Sequence, residues 1–382
     1  MKQFIITARG KFRFLMIRMV TPAFIKFVGF FFAGKRKSLL VIKNDGIGDY
    51  VLFRNFLRHF KNTEKFSDFK IYLLANESCR DLLLDLDMKH IDGYFWYGDD
   101  YFLKWKLAGL LFRLQRLRLD TIIYPNYSRK YAVDWLIGRL RAKNKLGVDG
   151  DTVNQSPELK TKGNRSYSAL IQTEDLSVHE FERNRQIVEA MTGSPCDLKR
   201  PFIDKRELNV VPNDGVIVFF GASERKKRWP AAKFGQLCER LNSQLKEKII
   251  LAGGKDEIQA GKEIASGFSA TQLSNQTGQL TLTQLCELIG GAKLLVSNDT
   301  VALHIAVSLN IPVVCIARGD IYGRFVPYPD AIFNKMVMVV PPAFKLRETS
   351  YAEWSPENID DIPVEDVFAA CAALLSANLA IN

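Results

Sequence analysis

The sequence predicts an α/β fold built from two similar halves that face each other across a cleft. Short apolar runs of strand length recur along the chain, and each ends at a polar or glycine-bearing turn that leads into a helical pattern. Such alternation is typical of parallel sheets whose connecting helices cover their faces. Residues 194–214 carry Pro195, Pro201 and Pro212 and are predicted to be the linker between the halves. A chain of 382 residues is long enough for two domains with separate cores.

The first half is predicted to begin with a strand over 38–44, a glycine-bearing turn over 45–49 and a helix over 50–60. Apolar runs predict further strands over 69–75 and 121–124. The remaining elements predicted for this half are a helix over 131–140 and a polar loop over 149–168.

The second half repeats the alternation after the linker. Pro230 fits the first turn of a helix, where the missing N–H of proline costs nothing. Helices at the C-terminus are predicted within 357–375. The other elements predicted in this half alternate between strand and helix, beginning with a strand. In chain order they are 215–220, 229–245, 248–252, 282–290, 293–297, 300–309 and 312–317.

The net charge of +11 is concentrated at the N-terminus. Residues 1–37 contain nine Lys or Arg and no acidic residue, so the remaining chain is nearly neutral. Phenylalanines alternate with these charges, and no uncharged run approaches the ~20 residues that a spanning helix needs. We therefore expect 1–37 to be a basic amphipathic segment on an anionic membrane surface. The alternative is a basic helix docked on the protein's own core. A nucleic-acid partner is not expected, because no recognition motif accompanies this local charge.

The cysteines and the N-terminal segment indicate the cellular compartment in which we expect the protein. The six cysteines include no Cys-x-x-Cys pair, which indicates neither a zinc site nor a disulfide framework and fits a reducing cytoplasm. No cleavable signal peptide is apparent, because charges interrupt the N-terminal segment and no small-residue cleavage site follows.

The segment 297–304 combines a strand end with the start of a helix. The apolar run over 293–296 predicts a buried strand, and Asp299 or Thr300 is a good N-cap for the helix that follows. His304 lies one turn into that helix, on the same face as Thr300. Because a helix N-terminus offers free N–H groups and a positive dipole, this corner is a candidate phosphate or nucleotide cradle. The same residues also occur in turns and helices that have only a structural role.

A second candidate corner follows the first predicted strand. Gly46 and Gly48 allow the backbone to approach a ligand closely, and Asp49 stands where the helix begins, at a strand's carboxyl end. The spacing is not that of a dinucleotide fingerprint. Asp49 is the best candidate for a general base, and its alternative role is to cap the helix.

A basic cluster precedes the predicted helix over 229–245. Residues 221–223 end the preceding strand at a Gly-Ala-Ser turn, and residues 225–228 are all Arg or Lys. Such a cluster can be a solvated loop. Beside a phosphate-binding site, the cluster is better explained as a group of positive charges that holds the phosphates, in which Lys227 balances the charge of the departing phosphate.

These three segments together resemble glycosyltransferase family 9, the lipopolysaccharide heptosyltransferases, over roughly residues 38–375. The order and spacing of the family's motifs fit this chain. The family's strand-then-Gly-Asp motif is matched by Gly48-Asp49, its Lys-(His/Arg)-Trp-Pro motif by 227–230, and its Asp-Thr-Gly-x-x-His motif by Asp299, Thr300 and His304.

Two positions depart from the family pattern. Val301 stands where the family usually has glycine; a β-branched residue restricts backbone approach and disfavours positive φ, so we expect the donor phosphate to be held somewhat differently. Arg54 and Asn55 replace the proline that is common in the family's first helix. We expect this second departure to affect the binding of the acceptor more than the transfer reaction.

The resemblance implies the GT-B fold, in which two Rossmann-like domains face each other across a cleft. It assigns 38–200 to an acceptor-side domain, 201–345 to a nucleotide-sugar-binding domain and 346–382 to helices that cross back onto the first domain. The implied activity is an inverting, metal-independent transfer of heptose from ADP-heptose to a bacterial lipopolysaccharide or related surface glycan.

The resemblance also implies roles for particular residues. Asp256 or Glu257, in the glycine-bearing turn over 253–257, would bind the ribose of the nucleoside. Independently of the resemblance, Arg129 and Lys130 follow the turn over 126–128 and are candidates to meet an anionic acceptor, although exposed basic pairs are also common on protein surfaces. The full donor-binding set that we expect is Gly48, Ser223, Lys227, Asp256, Glu257, Asp299, Thr300 and His304, with Asp49 and Lys227 as catalytic groups.

We expect no metal and no cofactor, because no Asp-x-Asp motif ends a predicted strand and the basic cluster can take a cation's role. The expected partners are a nucleotide sugar, an anionic glycolipid or oligosaccharide acceptor, and the cytoplasmic face of the inner membrane through 1–37. Two alternatives stay open. One is transfer of another nucleotide-activated sugar in O-antigen or capsule synthesis, and the other is a catalytically silent nucleotide-binding module at the membrane, which Val301 suggests.

Overall fold

The computed structural model describes residues 37–98, 106–173, 178–344 and 355–379, which form two six-stranded sheets, one in each half of the chain. Every strand pairing in both sheets is parallel. The predicted α/β fold of two similar halves is therefore confirmed. The basic segment predicted over 1–37 lies outside the described residues except for Lys37. Within the described ranges, no helix has the length and apolar character needed to cross a bilayer.

The first sheet has the strand order β3-β2-β1-β4-β5-β6. Its central strand β1 is buried along its whole length, which explains why its sequence is a continuous apolar run. The strand order reverses between β1 and β4, and ligands bind at such reversal points, beyond the carboxyl ends of the strands. The strands are β1 (Ser38–Lys43), β2 (Lys70–Asn76), β3 (Gly93–Tyr97), β4 (Thr121–Ile123), β5 (Asn144–Val148) and β6 (Ala169–Ile171).

The helices of the first half cover both faces of this sheet. The prediction of an uninterrupted loop over 149–168 is wrong, because a helix forms within it. Ser156 caps that helix by accepting a hydrogen bond from the Leu159 N–H, and Pro157 occupies its first turn. The helices are α1 (Ile47–Phe53), α2 (Phe56–Asn62), α3 (Lys106–Gln115), α4 (Tyr131–Arg139), α5 (Pro157–Asn164) and α6 (Glu180–Thr192), and residues 77–90 form short helical turns.

The helix predicted over 50–60 divides at Arg54 and Asn55 into α1 and α2. Arg54 forms a buried ion pair with Asp87, with 2.8 Å between Nη2 and Oδ1. Arg54 Nη1 and Asn55 Nδ2 both donate to the Phe202 carbonyl at 3.0 Å, and the Phe202 N–H donates to Asn55 Oδ1 at 2.9 Å. The two residues that stand in place of the family's proline therefore tie the first domain to the linker.

The second sheet repeats the topology of the first, with the order β12-β11-β10-β7-β8-β9 and a reversal between β7 and β10. Its strands are β7 (Val216–Phe219), β8 (Ile249–Ala252), β9 (Leu273–Asn275), β10 (Leu294–Asn298), β11 (Val313–Ile316) and β12 (Met336–Val339). Its helices are α7 (Ala231–Leu245), α8 (Ile258–Ala265), α9 (Leu282–Gly290), α10 (Val301–Ser308) and α11 (Val364–Leu379).

The two domains meet through α1 and α10, which pack against each other. Apolar side chains of both helices belong to one buried cluster that continues into both sheets. A Cβ added to Gly48 of α1 would lie 3.0 Å from Cδ2 of His304, so only glycine fits without a shift of the histidine. The N-terminus of α9 adds a polar contact, because its Leu282 N–H donates to Asp81 of the first domain at 3.1 Å.

The C-terminal helix α11 packs on the second domain, against α7 and the strands β10 to β12. Its buried residues Val367, Cys371 and Leu375 join the core that contains Leu237 and Leu241 of α7. The prediction that this segment returns to the first domain is therefore wrong for residues 355–379, because its apolar face is buried against the second sheet's own layer. Residues 346–354 lie outside the described chain.

Candidate active site

A cleft of about 800 Å³ lies between the carboxyl edges of the two sheets. Its first-domain wall is formed by residues 46–49 with Ser78 and Asp81, and its second-domain wall by the segments that follow β7, β8 and β10. Every residue that we predicted to bind the donor or to take part in catalysis lines this one cavity. These residues are Gly48, Asp49, Ser223, Lys227, Asp256, Glu257, Asp299, Thr300 and His304.

Asp49 stands in the first turn of α1, on the first-domain wall of the cleft. The cap position is occupied by Gly46, and no side chain caps the helix. None of the described residues donates a hydrogen bond to the Asp49 carboxylate. The alternative role of capping α1 is therefore wrong, and the carboxylate faces the cleft without a protein partner.

The surroundings of Asp49 favour its protonated form. Its pKa is raised to about 7, first because burial disfavours the carboxylate and then because Asp45 stands nearby; Lys43 acts in the opposite direction. A carboxyl group with such a pKa is half ionised near neutral pH, where a general base can both accept and release a proton.

Lys43 supplies a buried cation near Asp49. It ends β1, its side chain is 1% exposed, and its Nζ lies 2.9 Å from Asp45 Oδ2 and 3.3 Å from Asn126 Oδ1. Burial alone would lower the pKa of Lys43, but the attraction of Asp45 and Asp49 raises it overall. The lysine therefore stays charged and partly compensates the two carboxylates.

The basic loop before α7 is held by Trp229. This side chain is 1% exposed; its backbone N–H donates to Asn298 Oδ1 at 3.1 Å and its indole N–H to the Ile362 carbonyl at 3.0 Å. The anchor places Lys227 in the cleft, with its Nζ 2.8 Å from Asp299 Oδ2. Burial alone would lower the pKa of Lys227, but Asp299 raises it, so the side chain carries a full charge at neutral pH.

The start of α10 faces the same space. Thr300 occupies the N-cap position, yet its side chain makes no capping bond; its Oγ1 lies 3.0 Å from Ser297 Oγ instead. The first N–H groups of α10 are therefore not satisfied by their cap and can meet an anion. Val301 is the first residue of α10 and does not have a positive φ, so a β-branched residue is not strained there. What Val301 changes is the wall of the cleft, which its side chain lines.

His304 is wedged between the domains and is 5% exposed. Its Nδ1 lies 2.7 Å from the Tyr328 hydroxyl. Burial lowers the pKa of His304 to about 4; Asp299 opposes this shift and Lys227 adds to it. The imidazole is therefore neutral at pH 7, so it can offer a phosphate a hydrogen bond but not a charge.

The far end of the cleft is a glycine-lined corner after β7 and β8. A Cβ added to Gly221 or Gly254 would lie 2.9 Å from the Glu257 carboxylate, so the two glycines let this side chain lie against the backbone. Glu257 is 12% exposed and lies 3.5 Å from the Arg228 guanidinium, whereas Asp256 is exposed. Glu257 is accordingly the better placed of the two predicted ribose ligands.

The predicted acceptor residues lie outside this cleft. Arg129 is 1% exposed; its Nη1 lies 3.3 Å from Asp134 Oδ1 and its guanidinium stacks on Tyr167, with 4.8 Å to the ring centroid. The prediction that Arg129 meets an acceptor is therefore wrong, because its charge is used to hold α4 and its neighbours together. Lys130 is half-buried at the N-terminus of α4 and does not line the cavity.

Charged residues that could not be found from the sequence influence Asp49 without lining the cleft. Glu180 and Arg324 form a buried ion pair, with 2.9 Å between Oε2 and Nε, and both influence the pKa of Asp49. Neither belongs to a recognisable motif, because their contact joins segments 144 residues apart. The one available signal was Lys43, a charged residue that ends an otherwise apolar strand.

In the part of the chain that the structure describes, no group of three or more His, Cys, Asp or Glu side chains is arranged to hold a metal ion. The cations in the described cleft walls are basic side chains, among which Lys227 is the most enclosed.

Two parallel sheets of Rossmann type that face each other across a ligand cleft define the GT-B class. Comparison with known proteins then gives the family. Glycosyltransferase family 9 (heptosyltransferase) matches residues 132–337, which are more than half of the chain. The chain belongs to this family, and the resemblance noted from its three motifs is confirmed.

Curated relatives carry the names of lipopolysaccharide heptosyltransferases. Lipopolysaccharide heptosyltransferase 2 of Escherichia coli K12 is 28% identical over 152 residues, which cover 39% of this chain and 43% of that protein. Lipopolysaccharide heptosyltransferase 3 of Escherichia coli is 28% identical over 196 residues, which cover 49% of this chain and 54% of that protein. The chain thus spans about half the length of these relatives.

Solved structures share the fold over most of both chains. An Escherichia coli heptosyltransferase with ADP superposes with a TM-score of 0.69 at 15% identity, over 88% of this chain and 99% of that one. The ADP-heptose lipopolysaccharide heptosyltransferase II of the same organism gives a TM-score of 0.65 at 19% identity, over 89% and 99%. The predicted GT-B fold is therefore confirmed.

Lys227→Ala should weaken binding of ADP by roughly ten- to hundredfold, because a charge-assisted hydrogen bond worth about 1.5–3 kcal/mol is lost. Adenosine, which has no phosphate, should bind almost unchanged. The matched control is Lys226→Ala, since Lys226 lies one residue away but pairs with Glu224 at 3.1 Å outside the cleft. Isothermal titration of both ligands against the three proteins measures this. Equal losses for ADP and adenosine would show that Lys227 does not serve the phosphates.

Proposed function

We propose that the protein is an inverting, metal-independent glycosyltransferase that moves heptose from ADP-heptose to a bacterial lipopolysaccharide or related surface-glycan acceptor. One observation carries this proposal: a carboxylate with a pKa of about 7, Asp49, and an enclosed cation, Lys227, face one cleft from opposite domains. Membership of family 9 and the names of the relatives support the choice of heptose and of ADP-heptose.

In this proposal the donor lies on the second domain. Its diphosphate meets Lys227 and the free N–H groups at the start of α10, and its ribose reaches Glu257 in the glycine corner. Asp299 is itself negative and would repel a phosphate, so its role is to hold Lys227 in place through their 2.8 Å ion pair. His304 contributes a neutral hydrogen bond.

The reaction that we propose is a single displacement. An acceptor hydroxyl gives its proton to Asp49 while its oxygen attacks the anomeric carbon, and the bond from that carbon to the diphosphate breaks. ADP leaves with both electrons of that bond. Because the acceptor enters from the first-domain side and ADP leaves on the second-domain side, attack occurs opposite the leaving group and the anomeric configuration inverts. Lys227 and the α10 N–H groups stabilise the charge that develops on ADP, which is the task a metal performs in other transferases.

In this proposal the acceptor lies against the first-domain wall of the cleft. The first-domain wall offers Ser78 and Asp81 beside Asp49, and Arg129 is excluded by its burial. Residues 1–37 are proposed to hold the protein on the cytoplasmic face of the inner membrane, where a lipid-anchored acceptor would be found.

Asp49→Asn should lower turnover by about two to four decades while the affinity for the nucleotide sugar stays within a factor of about two. The raised pKa also predicts the effect on stability. A carboxyl group whose folded pKa is raised destabilises the fold as pH rises from its unfolded value of about 4 through about 7. Asn carries no charge, so the variant should melt no lower than the wild type at pH 8. Asp68→Asn is the matched control, because it removes an exposed first-domain carboxylate that pairs with Lys37 outside the cleft.

Single-turnover release of ADP and thermal melting at pH 8 measure both effects. Turnover that survives Asp49→Asn would remove this residue from the mechanism. If the wild type binds ADP-heptose but never releases ADP with any acceptor, the silent-module alternative holds instead. Faster turnover of another nucleotide sugar would favour the alternative transferase.

The full chain should co-sediment with phosphatidylglycerol vesicles, bind less but still measurably at high salt, and bind neutral vesicles poorly. Salt screens the attraction between the nine basic residues and the lipid but not the burial of phenylalanine. A chain that starts at Ser38 retains β1 and should stay folded and transfer heptose to a water-soluble acceptor fragment. If that shortened chain unfolds and the full chain does not bind vesicles, residues 1–37 belong to the protein's own core and the membrane proposal is wrong.

A further inference from the structure

One side of α3 exposes apolar and basic residues next to each other. Gly109, Phe112, Arg113 and Arg116 are all exposed, and their spacing of three and four residues places them on one side of the helix. The Arg113 guanidinium lies 5.0 Å from the centroid of the Phe95 ring, and the Arg116 guanidinium lies 5.8 Å from that of the Phe112 ring. In the part of the chain that the structure describes, neither arginine pairs with a carboxylate. The opposite side of the helix packs on the first sheet.

More basic residues lie beside the C-terminal end of α3. The Arg141 N–H donates to Gln115 Oε1 at 3.2 Å, and the Lys143 N–H donates to the Asp120 carbonyl at 2.8 Å. The loop after α4 therefore runs along the end of α3, and its exposed basic side chains extend the charged surface of that helix. The residues that we call the basic face are Arg113, Arg116, Arg118, Arg139, Arg141 and Lys143.

The charge of this part of the first domain is not balanced. Residues 106–145 contain ten Lys or Arg but only two acidic residues, Asp120 and Asp134. Asp134 is buried and pairs with the buried Arg129, so it neutralises none of the basic face. Because 38–382 is nearly neutral as a whole, the rest of that range carries a net negative charge. The basic face is thus a local positive surface on a chain that is otherwise slightly acidic.

The basic N-terminal segment joins the described chain next to this face. Ser38, the first residue of β1, donates from its Oγ to the Arg118 carbonyl at 3.2 Å, and its own carbonyl accepts from the Asp120 N–H at 3.0 Å. Residues 1–37 therefore leave the first domain beside the end of α3. They include nine Lys or Arg and no acidic residue, so they cannot neutralise the basic face, and repulsion between like charges opposes their docking on it. One anionic surface can contact both.

We propose that the basic face docks on an anionic lipid bilayer, as a second contact beside residues 1–37. The inference rests on the proposed membrane location of that segment and is independent of sugar transfer. Arginine side chains suit this task, because their apolar stems can lie along the interface while the guanidinium groups reach the lipid phosphates. Phe112 adds an apolar ring at the same level, and such rings are favoured at the boundary between headgroups and acyl chains.

The direction of α3 fits a bilayer beside the first domain. The helix connects β3 to β4, and because these strands are parallel it runs from the carboxyl edge of the sheet back to its amino edge. The cleft lies between the carboxyl edges of the two sheets. A bilayer along α3 would therefore lie beside the wall that carries Asp49 and would leave the cleft open to a lipid-anchored acceptor.

The first test removes charge from α3 in the full chain. Arg113→Gln combined with Arg116→Gln should weaken binding to phosphatidylglycerol vesicles about thirtyfold, which corresponds to about 1 kcal/mol for each basic residue at the lipid surface. The matched control combines Lys65→Gln with Lys199→Gln, since both lysines are exposed on the side of the first domain that covers the other face of the sheet. The control should stay within a factor of about two of the wild type, because charges beyond a Debye length are screened. Equal losses in the two double variants would show that only total charge matters and would overturn the proposal.

The second test reports where the bilayer lies. All six native cysteines are buried, so a fluorophore can be attached selectively to an exposed thiol introduced by Gly109→Cys. A Cβ at Gly109 meets no atom within 4 Å, and the same holds for the exposed Gly267 of the second domain, which serves as the control site. Phosphatidylglycerol vesicles should raise the emission of an environment-sensitive nitrobenzoxadiazole label at position 109 and shift it to shorter wavelength. The label at position 267 should not respond.

Each other outcome overturns the proposal in a distinguishable way. Vesicle binding without a response at position 109 would mean that residues 1–37 make the membrane contact without α3. A shielded label before vesicles are added would mean that a segment of this chain covers the face. A response to single-stranded RNA but not to vesicles would indicate a nucleic-acid partner. A full chain that binds no vesicles would remove the membrane location altogether, whereas a failure of the proposed transfer reaction would appear as absent ADP release with both membrane readouts intact.

Discussion

The close packing of α1 against α10 is the contact on which the rest of the site depends. Gly48 lets the first turn of α1 approach His304, and this approach brings the carboxyl edges of both sheets to one cleft. Asp49 follows Gly48 directly, and Thr300 lies one turn before His304. The two residues in contact therefore set the distance between Asp49 on one wall and the start of α10 on the other. A methyl group at Gly48 would require the His304 ring to shift by a few tenths of an ångström.

The buried charges around Asp49 depend on the same contact between the domains. A buried charge without a partner costs several kcal/mol, so a cluster of carboxylates near Asp49 requires cations. Lys43 comes from the strand that carries the turn and Arg183, which pairs with Glu180, from α6, whereas Arg324 comes from the other domain. The environment of the Asp49 carboxylate therefore differs from that of a carboxylate in a simple ion pair. Its carboxylate is raised in pKa enough to act as a base and is still ionised in part at neutral pH, because cations from both domains oppose its burial.

Much of the fold, and which of the motif residues line one cleft, could be predicted because their signals are local. A strand, a turn and the start of a helix are encoded by neighbouring residues, as over 294–301, and the carboxyl ends of parallel strands share one edge of the sheet. The failures involve contacts between distant segments. Arg129 resembled an exposed basic residue, yet Asp134 and Tyr167 bury it. Arg324 had no motif, since its partners come from three other loops or helices. The C-terminal helix was assigned to the first domain by analogy, whereas its own apolar face packs on the second.

The pH dependence of kcat/KM for the wild-type protein tests the central claim most directly. If Asp49, raised in pKa by its burial and by Asp45, is the base, activity should rise with pH and reach half its maximum at about pH 7. The acid limb should then disappear from the residual activity of Asp49→Asn. An acid limb centred at about pH 4, the value of an ordinary carboxyl group, would contradict the account. So would a profile that is flat between about pH 5 and pH 9, since a base in this environment must titrate within that range.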